Sequence, residues 1–297
     1  MKISVALAAY NGEKYIGEQI ESILPQLGRD DEIVVSDDNP AGKTRTAVEF
    51  YSAYDGRVRY VEGTGEGVCR NFENAILNCS GDVIFLCDQD DVWLQDKLMR
   101  AIGELSRSNL GEKEPLLYCS EYYFCDSNLN VVSKSKLNKS GVSFQKMLYE
   151  NACSGNTMVL NKRLHQILNQ IGYEEYGWHD WWMALVASAV GDIIYDDYPS
   201  LYYRRTGDNA SATGTSFIKV MAQRFKTFAK GDGLTFVKKQ LWHLYSCKTE
   251  ISSPERLSLL ETSVEGSCWS KAFHSGRYRQ SLPGEIAVRL LLLFQIL

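Results

Sequence analysis

Val83-Ile84-Phe85-Leu86-Cys87-Asp88-Gln89-Asp90-Asp91-Val92-Trp93 constrains this chain more than any other stretch. The unbroken apolar run from Val83 to Cys87 predicts a strand buried on both faces at the centre of a sheet. Three carboxylates gather at its C-terminal end, and unpaired carboxylates against a packed core are costly. Something positive belongs beside them. Asp88 and Asp90 are one residue apart and can turn oxygens toward a shared point, which suits a hard divalent cation. An acidic turn between strand and helix, with Asp88 or Asp91 merely capping, is the other reading, and this stretch alone leaves both open.

The preceding residues repeat the same grammar. Ile3 to Ala8 predicts a strand, Tyr10-Asn11-Gly12 a turn, and Ile16, Ile20, Ile23 and Leu24 stand at helical spacing before Pro25. Glu32 to Asp38 is a β-branched run ending in Asp37 and Asp38, followed by a helix from about Arg45 to Tyr54. Val58 to Val61 is a third strand, and a helix with Val68, Phe72, Ala75 and Ile76 on one face precedes the central run. After the central run comes a helix with Leu98, Ile102 and Leu105 in register. Strand alternating with helix predicts parallel βαβ units, whose ligands collect beyond the carboxyl ends of the strands. Tyr10-Asn11, Asp37-Asp38 and Asp88-Gln89-Asp90 should therefore converge on one crevice, and that convergence suggests a nucleotide. Gly63-Thr64-Gly65-Glu66-Gly67 is neither a Walker A loop nor a dinucleotide fingerprint, so it predicts first a loop needing positive φ and second a close approach to phosphate.

Beyond Leu116 the rhythm changes. Leu116 to Ser120, Tyr122 to Asp126, Asp192 to Asp196 and Leu201 to Arg204 read as four short strands, and Lys134 to Ser143 as a mobile polar loop. Lys162 to Ile171 reads as a helix. Trp178-His179-Asp180-Trp181-Trp182 opens another, with Trp182, Leu185, Val186 and Ala189 sharing a face. Asp180 there is either a helix cap or a working carboxylate, and the tryptophans are either core or a wall for a sugar ring.

Composition narrows the function classes. A formal charge of −5 disfavours a nucleic-acid binder, and the eight cysteines show no zinc spacing and no C-x-x-C pair, which predicts a reducing compartment. The N-terminal apolar run is too short for a cleaved signal, so a cytoplasmic location is expected. After Gly214 the sequence turns basic and aromatic, with Lys219, Arg224, Lys226, Lys230, Lys238, Lys239 and Lys248 among Phe217, Phe225, Phe228, Phe236 and Trp242. Such a segment either lies on an anionic membrane as a peripheral contact or packs its aromatics on the rest of the protein.

Taken together, Ala8-Ala9-Tyr10-Asn11-Gly12, the strand ending in Asp37-Asp38, Gly67 with Arg70-Asn71, Asp88-Gln89-Asp90-Asp91-Val92-Trp93, His179-Asp180-Trp181-Trp182, and Tyr203-Arg204 with Gly207 and Asn209 resemble the inverting family 2 glycosyltransferases, in wording closest to the bacterial rhamnosyltransferase-like branch. The resemblance implies an α/β GT-A fold, a Rossmann-like mixed sheet, over residues 1–212, with a helical appendage over 213–297. It implies transfer of a sugar from a UDP- or dTDP-sugar to a glycan or lipid-linked glycan acceptor in cell-surface polysaccharide synthesis. A nucleotide-sugar sensor that kept the pocket without turnover is the rival. By the same resemblance Ala8, Tyr10, Asn11, Asp37, Asp38, Arg70, Asp88 and Arg204 contact the nucleotide, with Arg204 approaching the diphosphate. Asp88 and Asp90 hold Mn2+ or Mg2+, Asp180 is the catalytic base, and Trp178, His179, Trp181 and Trp182 shape the acceptor side. The sequence departs from the family pattern at Asn39-Pro40, where glycine-serine is common, at Thr206, where many relatives carry histidine, and at His179, where glutamate often precedes the base.

Overall fold

The computed structural model of the protein describes residues 1–108, 114–173, 178–205 and 232–297. Its first half alternates as the sequence predicts: β1 (Ile3–Ala9), α1 (Ile16–Ile23), β2 (Glu32–Asp37), α2 (Thr44–Tyr54), β3 (Val58–Glu62), α3 (Val68–Leu77) and β4 (Val83–Asp88). There follow β5 (Val92–Trp93), α4 (Lys97–Arg107), β6 (Leu116–Cys125), β7 (Val131–Lys134), α5 (Phe144–Met147), β8 (Val159–Asn161), α6 (Lys162–Ile171), α7 (His179–Val190) and β9 (Asp192–Arg204). The described C-terminal part is helical: α8 (Asp232–Ser246), α9 (Pro254–Glu265), α10 (Cys268–Ala272) and α11 (Leu282–Leu293).

Among the described residues the strands form one mixed sheet in the order β3-β2-β1-β4-β8-β6-β9-β5, with β7 beside β6. β1 pairs in parallel with both β2 and β4. The chain order thus reverses at β1, the switch point where an open α/β sheet leaves a crevice beyond its strand ends. Period-two alternation divides the core between the two faces. Val5, Leu7, Phe85 and Cys87 pack with Ile16, Ile20 and Ile23 of α1. Ala6, Ala8, Ile84 and Leu86 pack with Phe72, Ala75 and Ile76 of α3 and with α6 and α7.

Several expectations need correction. The four short strands predicted beyond Leu116 are two long ones, β6 and β9, paired in parallel with register shifts around Ser120, Glu121 and Tyr123. Glu121 looks like a strand breaker, yet it is buried and satisfied, accepting hydrogen bonds from Tyr195 Oη at 2.5 Å, the Leu137 amide at 3.0 Å and the Ser135 hydroxyl. The same bonds tie down the loop expected to be mobile, and Gln280 Oε1 accepts from the Lys139 and Ser140 amides at 3.0 and 2.8 Å. Val68 is exposed, whereas α7 is buried on every side from Trp182 to Val190. The backbone turn of α7 onto β9 is equally tight, for a Cβ on Gly191 would stand 1.9 Å from the Pro115 carbonyl oxygen.

The boundary expected between residues 212 and 213 lies outside the described residues, as do Lys219, Arg224, Lys226, Lys230, Phe217, Phe225 and Phe228. In the described half of the basic-aromatic segment Phe236 packs inward, whereas Trp242 is exposed. Val237, Leu241 and Leu244 of α8, with Ile251, Leu260, Tyr278, Val288 and Leu292, join the cluster that holds α7. Full burial of such a side chain stabilises by roughly 1.5–3 kcal/mol, so several together outweigh the entropy of a tethered, free appendage. Among the described residues no helix is long and apolar enough to cross a membrane.

Candidate active site

The strand ends converge as predicted. Asp37 stands opposite Ala9, and Asp88 opposite Ala8, so the three strand ends carrying the motifs lie side by side. Gln89 staples two of them: the Tyr10 amide donates to Gln89 Oε1 at 2.8 Å, and Gln89 Nε2 donates to the Tyr10 carbonyl at 3.0 Å. A Cβ on Gly12 would collide with that side chain at 2.1 Å, which explains the glycine. Asn71 secures the other pair, donating to the Ala9 carbonyl at 2.8 Å and accepting from Ser36 Oγ at 2.6 Å.

Tyr10 is 60% exposed, and Asn11, at φ 50°, accepts from Asn39 Nδ2 at 2.8 Å at the same end of the sheet. Asp37 is fully buried, accepts from Tyr60 Oη at 3.1 Å, and burial raises its pKa. The glycine-rich turn takes the first of its two readings: Gly65 and Gly67 have φ of 73° and 96°, and their amides donate to the two oxygens of Asp38 at 2.7 and 2.8 Å. Arg70, in the first turn of α3, pairs with Glu73 at 2.6 Å.

The acidic loop is the electrostatic centre. Asp88 is pushed up to about 7 by burial, then by the neighbouring carboxylates of Asp90 and Asp180, with Lys97 opposing. No described residue donates a hydrogen bond to its carboxylate. Burial also raises Asp90, which Arg204 counteracts, and raises Asp91 well above the usual carboxylate range. Asp91 accepts from Asn156 Nδ2 at 2.6 Å. Lys97, 1% exposed, donates to the Asn156 carbonyl at 2.7 Å and lies 4.3 Å over the Trp93 ring. Sequence reasoning missed Lys97 and Asn156; a lysine at the start of an amphipathic helix reads as solvated, and only the fold turns it inward.

Arg204 stands differently from its expected place at a diphosphate. It is buried, and its guanidinium donates to the Asp90 carbonyl at 3.1 Å, to the Ser127 carbonyl at 2.6 Å and to Glu18, and lies 4.5 Å over the Tyr15 ring. It holds the acidic loop from behind, while Gly207, Asn209 and Thr206 lie outside the described residues.

Asp180 reaches the same centre from α7. It is not the cap, because Trp178 holds that position and Asp180 sits in the first turn. Its carboxylate accepts from the Trp181 amide at 2.7 Å, and the nearby Gly155 amide and Asn151 side chain favour its charge, yet burial dominates and raises it to about 6. His179, expected to be hydrogen-bonded, has no partner on either ring nitrogen among the described residues. It stacks on Phe72 with centroids 4.0 Å apart, and burial lowers it to about 3. Only Trp178 of the three tryptophans is exposed. Trp181 donates to the Met147 carbonyl at 2.7 Å and meets Phe236 edge-on, and Trp182 is core, donating to the Gly172 carbonyl at 2.9 Å. Of the expected wall for a sugar ring, Trp178 is exposed and Trp181 partly so, while Trp182 belongs to the core.

Gly155 makes this approach possible. A Cβ there would stand 2.7 Å from His179 Nε2 and 3.3 Å from Asp180 Cβ. The histidine ring is held by Phe72 and cannot swing away, so Gly155→Ala is expected to shift the start of α7. Overpacking of this kind costs about 1–3 kcal/mol, read as a lower unfolding midpoint. Turnover should fall more than nucleotide affinity, because the displaced group is Asp180 and not the strand ends.

Comparison with known proteins identifies the arrangement. A family model described as glycosyl transferase family 2 matches residues 4–136, which include the three strand ends. The dTDP-rhamnosyl transferase RfbG of Shigella flexneri is 29% identical over 226 residues, 71% of this chain and 75% of that protein. S. aureus TarS 1–349, solved in complex with UDP-GlcNAc, superposes with a TM-score of 0.61 at 14% identity, covering 99% of this chain and 82% of that 1–349 chain. The mannosyltransferase PcManGT of Pyrobaculum calidifontis, in complex with GDP-Man and Mn2+, gives 0.52 at 14% identity, covering 99% and 80%. The mixed sheet, its carboxylate-tipped strand ends and these relatives agree on one conclusion: the chain has the GT-A fold, and its residues 4–136 match glycosyl transferase family 2.

Proposed function

We propose that this enzyme is a metal-dependent, inverting transferase that moves a sugar from a UDP- or dTDP-sugar, with dTDP-rhamnose the first candidate, to a hydroxyl of a cell-surface glycan acceptor. One observation carries this reading: Asp180, from a helix remote in sequence, lies close enough to Asp88 for its charge to raise that carboxylate. A single displacement needs two centres that face each other across the sugar, one for the leaving phosphates and one for the incoming hydroxyl.

The residues fit a divalent cation. A partly buried carboxylate with no hydrogen-bond donor among the described residues and with two acidic neighbours calls for positive charge, and Asp88 and Asp90 supply hard oxygen ligands. Among the described residues no cluster of three or more His, Cys, Asp or Glu stands ready for a metal. An ion of the Mg2+ or Mn2+ type takes one or two carboxylates and completes its shell with phosphates and water. Such an ion, when bound, neutralises charge on the departing nucleoside diphosphate.

The remaining work falls to the chain. Tyr10, Asn11 and Asp38 line the nucleoside end, with buried Asp37 beside them; Asp38 spends one acceptor site of each oxygen on Gly65 and Gly67 and keeps others for a ribose or base. Ala8 gives the nucleotide a small floor, and Arg70 lies at its rim. Asp180 takes the proton of the acceptor hydroxyl as it attacks, and His179, neutral in its buried place, fixes the approach of α7. Trp178 meets the acceptor. RfbG and TarS, whose names include dTDP-rhamnosyl transfer and a UDP-GlcNAc complex, support the nucleotide-sugar class.

The test is a screen of UDP- and dTDP-sugars with Mn2+ or Mg2+. The expected result is saturable donor binding that chelation abolishes, together with slow donor hydrolysis. Metal-independent binding without hydrolysis would instead favour a sensor.

A further inference from the structure

Lys97 and Asn156 are buried polar groups that the reaction above does not use. Lys97 opens α4, and an ammonium taken out of water is costly unless something negative meets it. Its hydrogen bond goes to the Asn156 main-chain carbonyl at 2.7 Å, not to a carboxylate, and the Trp93 ring lies 4.3 Å away. Asn156 is bonded at both ends of its side chain. Nδ2 donates to Asp91 Oδ2 at 2.6 Å and Oδ1 accepts from Ser154 Oγ at 2.8 Å, so a flipped amide would set its oxygen against the Asp91 carboxylate.

Asn156 sits in a short turn that touches both halves of the site. Gly155–Thr157 is a single turn of 3₁₀ helix, closed by the Thr157 amide on the Ser154 carbonyl at 3.0 Å. It is fastened to β4 by the Leu86 amide, which donates to the Met158 carbonyl at 3.0 Å. On one side Asn156 reaches Asp91, the residue after Asp90, whose other oxygen takes the Arg204 amide at 3.4 Å. On the other side Gly155 lies against the first turn of α7, where a Cβ would come within 3.3 Å of Asp180 Cβ. Lys97 grips the same turn from a third element, α4. Well-packed apolar side chains of similar volume often serve a fold alone as well as buried charges do. What this turn supplies is a fixed separation. In a single displacement the base and the leaving phosphates stand on opposite sides of the sugar, and a misplacement of about 1 Å can lower the rate about 10²-fold.

We propose that Asn156 and Lys97 are positioning residues that set the spacing between the Asp88-Asp90 loop and Asp180. Asn156 fixes the loop through Asp91, Gly155 seats Asp180, and the Lys97 ammonium pins the turn that joins them. The assignment rests on the glycosyltransferase reading above, with Asp180 as the base.

The experiment pairs hydrogen exchange with a double-mutant cycle on the full chain. In Asn156→Ala, peptides containing Asp91 and Trp181 should both exchange about tenfold faster than in the parent, while β1 keeps its protection. Lys97→Met keeps the volume and the contact with Trp93 and loosens the turn without touching either centre. It should give the same pattern even where Asn156→Ala fails to fold. Turnover should fall about 10–100-fold in each variant with donor KM within roughly threefold, since Gln89 and Arg204 still hold the loop. In an Asp180→Asn background the same substitutions should cost less than about twofold, because they act through the base. An equal penalty in both backgrounds would show a merely structural role and overturn the proposal. So would loosening confined to one of the two peptides, or a donor KM that rises as turnover falls. A parent without turnover would count against the enzymatic reading, and the exchange pattern would still decide whether the turn couples the two sites.

Discussion

Asp180→Asn is expected to lower sugar transfer by about 10²–10⁴-fold, the usual contribution of a positioned general base. Donor affinity should stay within roughly threefold of the parent, because the substitution leaves the strand ends untouched. Asparagine keeps the shape and can still accept from the Trp181 amide, which the carboxylate meets at 2.7 Å, but it cannot take a proton. The pH profile of the parent offers a second reading of the same group. Burial raises Asp180 to about 6, so the working, ionised form is present above that value and is lost as pH falls through it. Turnover should then drop about tenfold for each pH unit below the limb. A bound cation near Asp88 favours ionisation, so the limb should move to lower pH as Mn2+ is raised. Asp180→Asn retaining more than a tenth of parent turnover, or an acid limb unchanged in that variant, would remove Asp180 from the proposed role.

How much of this was legible in the sequence follows from where each signal resides. The βαβ half reads cleanly because buried parallel strands are continuous apolar runs and their helices keep a simple period. Residues Val83 to Cys87 could hardly be anything else. The second half hides its order because its polar strand residues are satisfied by partners far away in the chain. Glu121 breaks the apolar pattern of β6, and only the return of Ser135 and Tyr195 shows why it can stay inside. Arg204 fails for the converse reason. A guanidinium next to a motif suggests a phosphate, but burial commits it to two carbonyls, Glu18 and the Tyr15 ring. Of the Trp-His-Asp-Trp-Trp cluster, the sequence suggested the chemistry of Asp180, while the fate of each indole depended on α8, whose Phe236 and His243 pack against Trp181 and Trp182. Lys97 and Asn156 had no local signature, since their importance comes from meeting Asp91 across the sheet.

Asp88→Asn should make the cation-free protein more stable and the enzyme blind to its metal. The carboxylate is partly buried, accepts from no described residue, and is raised from 3.8 to about 7 by burial and by Asp90 and Asp180. A group whose pKa is higher in the folded chain binds more protons there, so its contribution to stability declines as pH rises from the unfolded value toward the folded one. A tenfold difference in proton affinity between the two states corresponds to about 1.4 kcal/mol, and partial exposure reduces the net effect to a few kcal/mol at most. In the absence of divalent ions at pH 7.5, Asp88→Asn is therefore expected to raise the unfolding midpoint by several degrees, and the gain should shrink steadily as pH falls toward 4. Mn2+ should stabilise the parent, by linkage to the folded state, and leave the variant where it is. Asp90→Asn should share the loss of metal-dependent donor binding, at least ~30-fold by titration, since a cation held by two carboxylates does not survive the loss of either. Its gain in cation-free stability should be smaller, because Arg204 already offsets the Asp90 charge. Equal stability gains in the two variants would show that Arg204 does not protect Asp90. An Asp88→Asn protein that is less stable at pH 7.5 and still binds donor through Mn2+ would mean that these acids serve the fold alone.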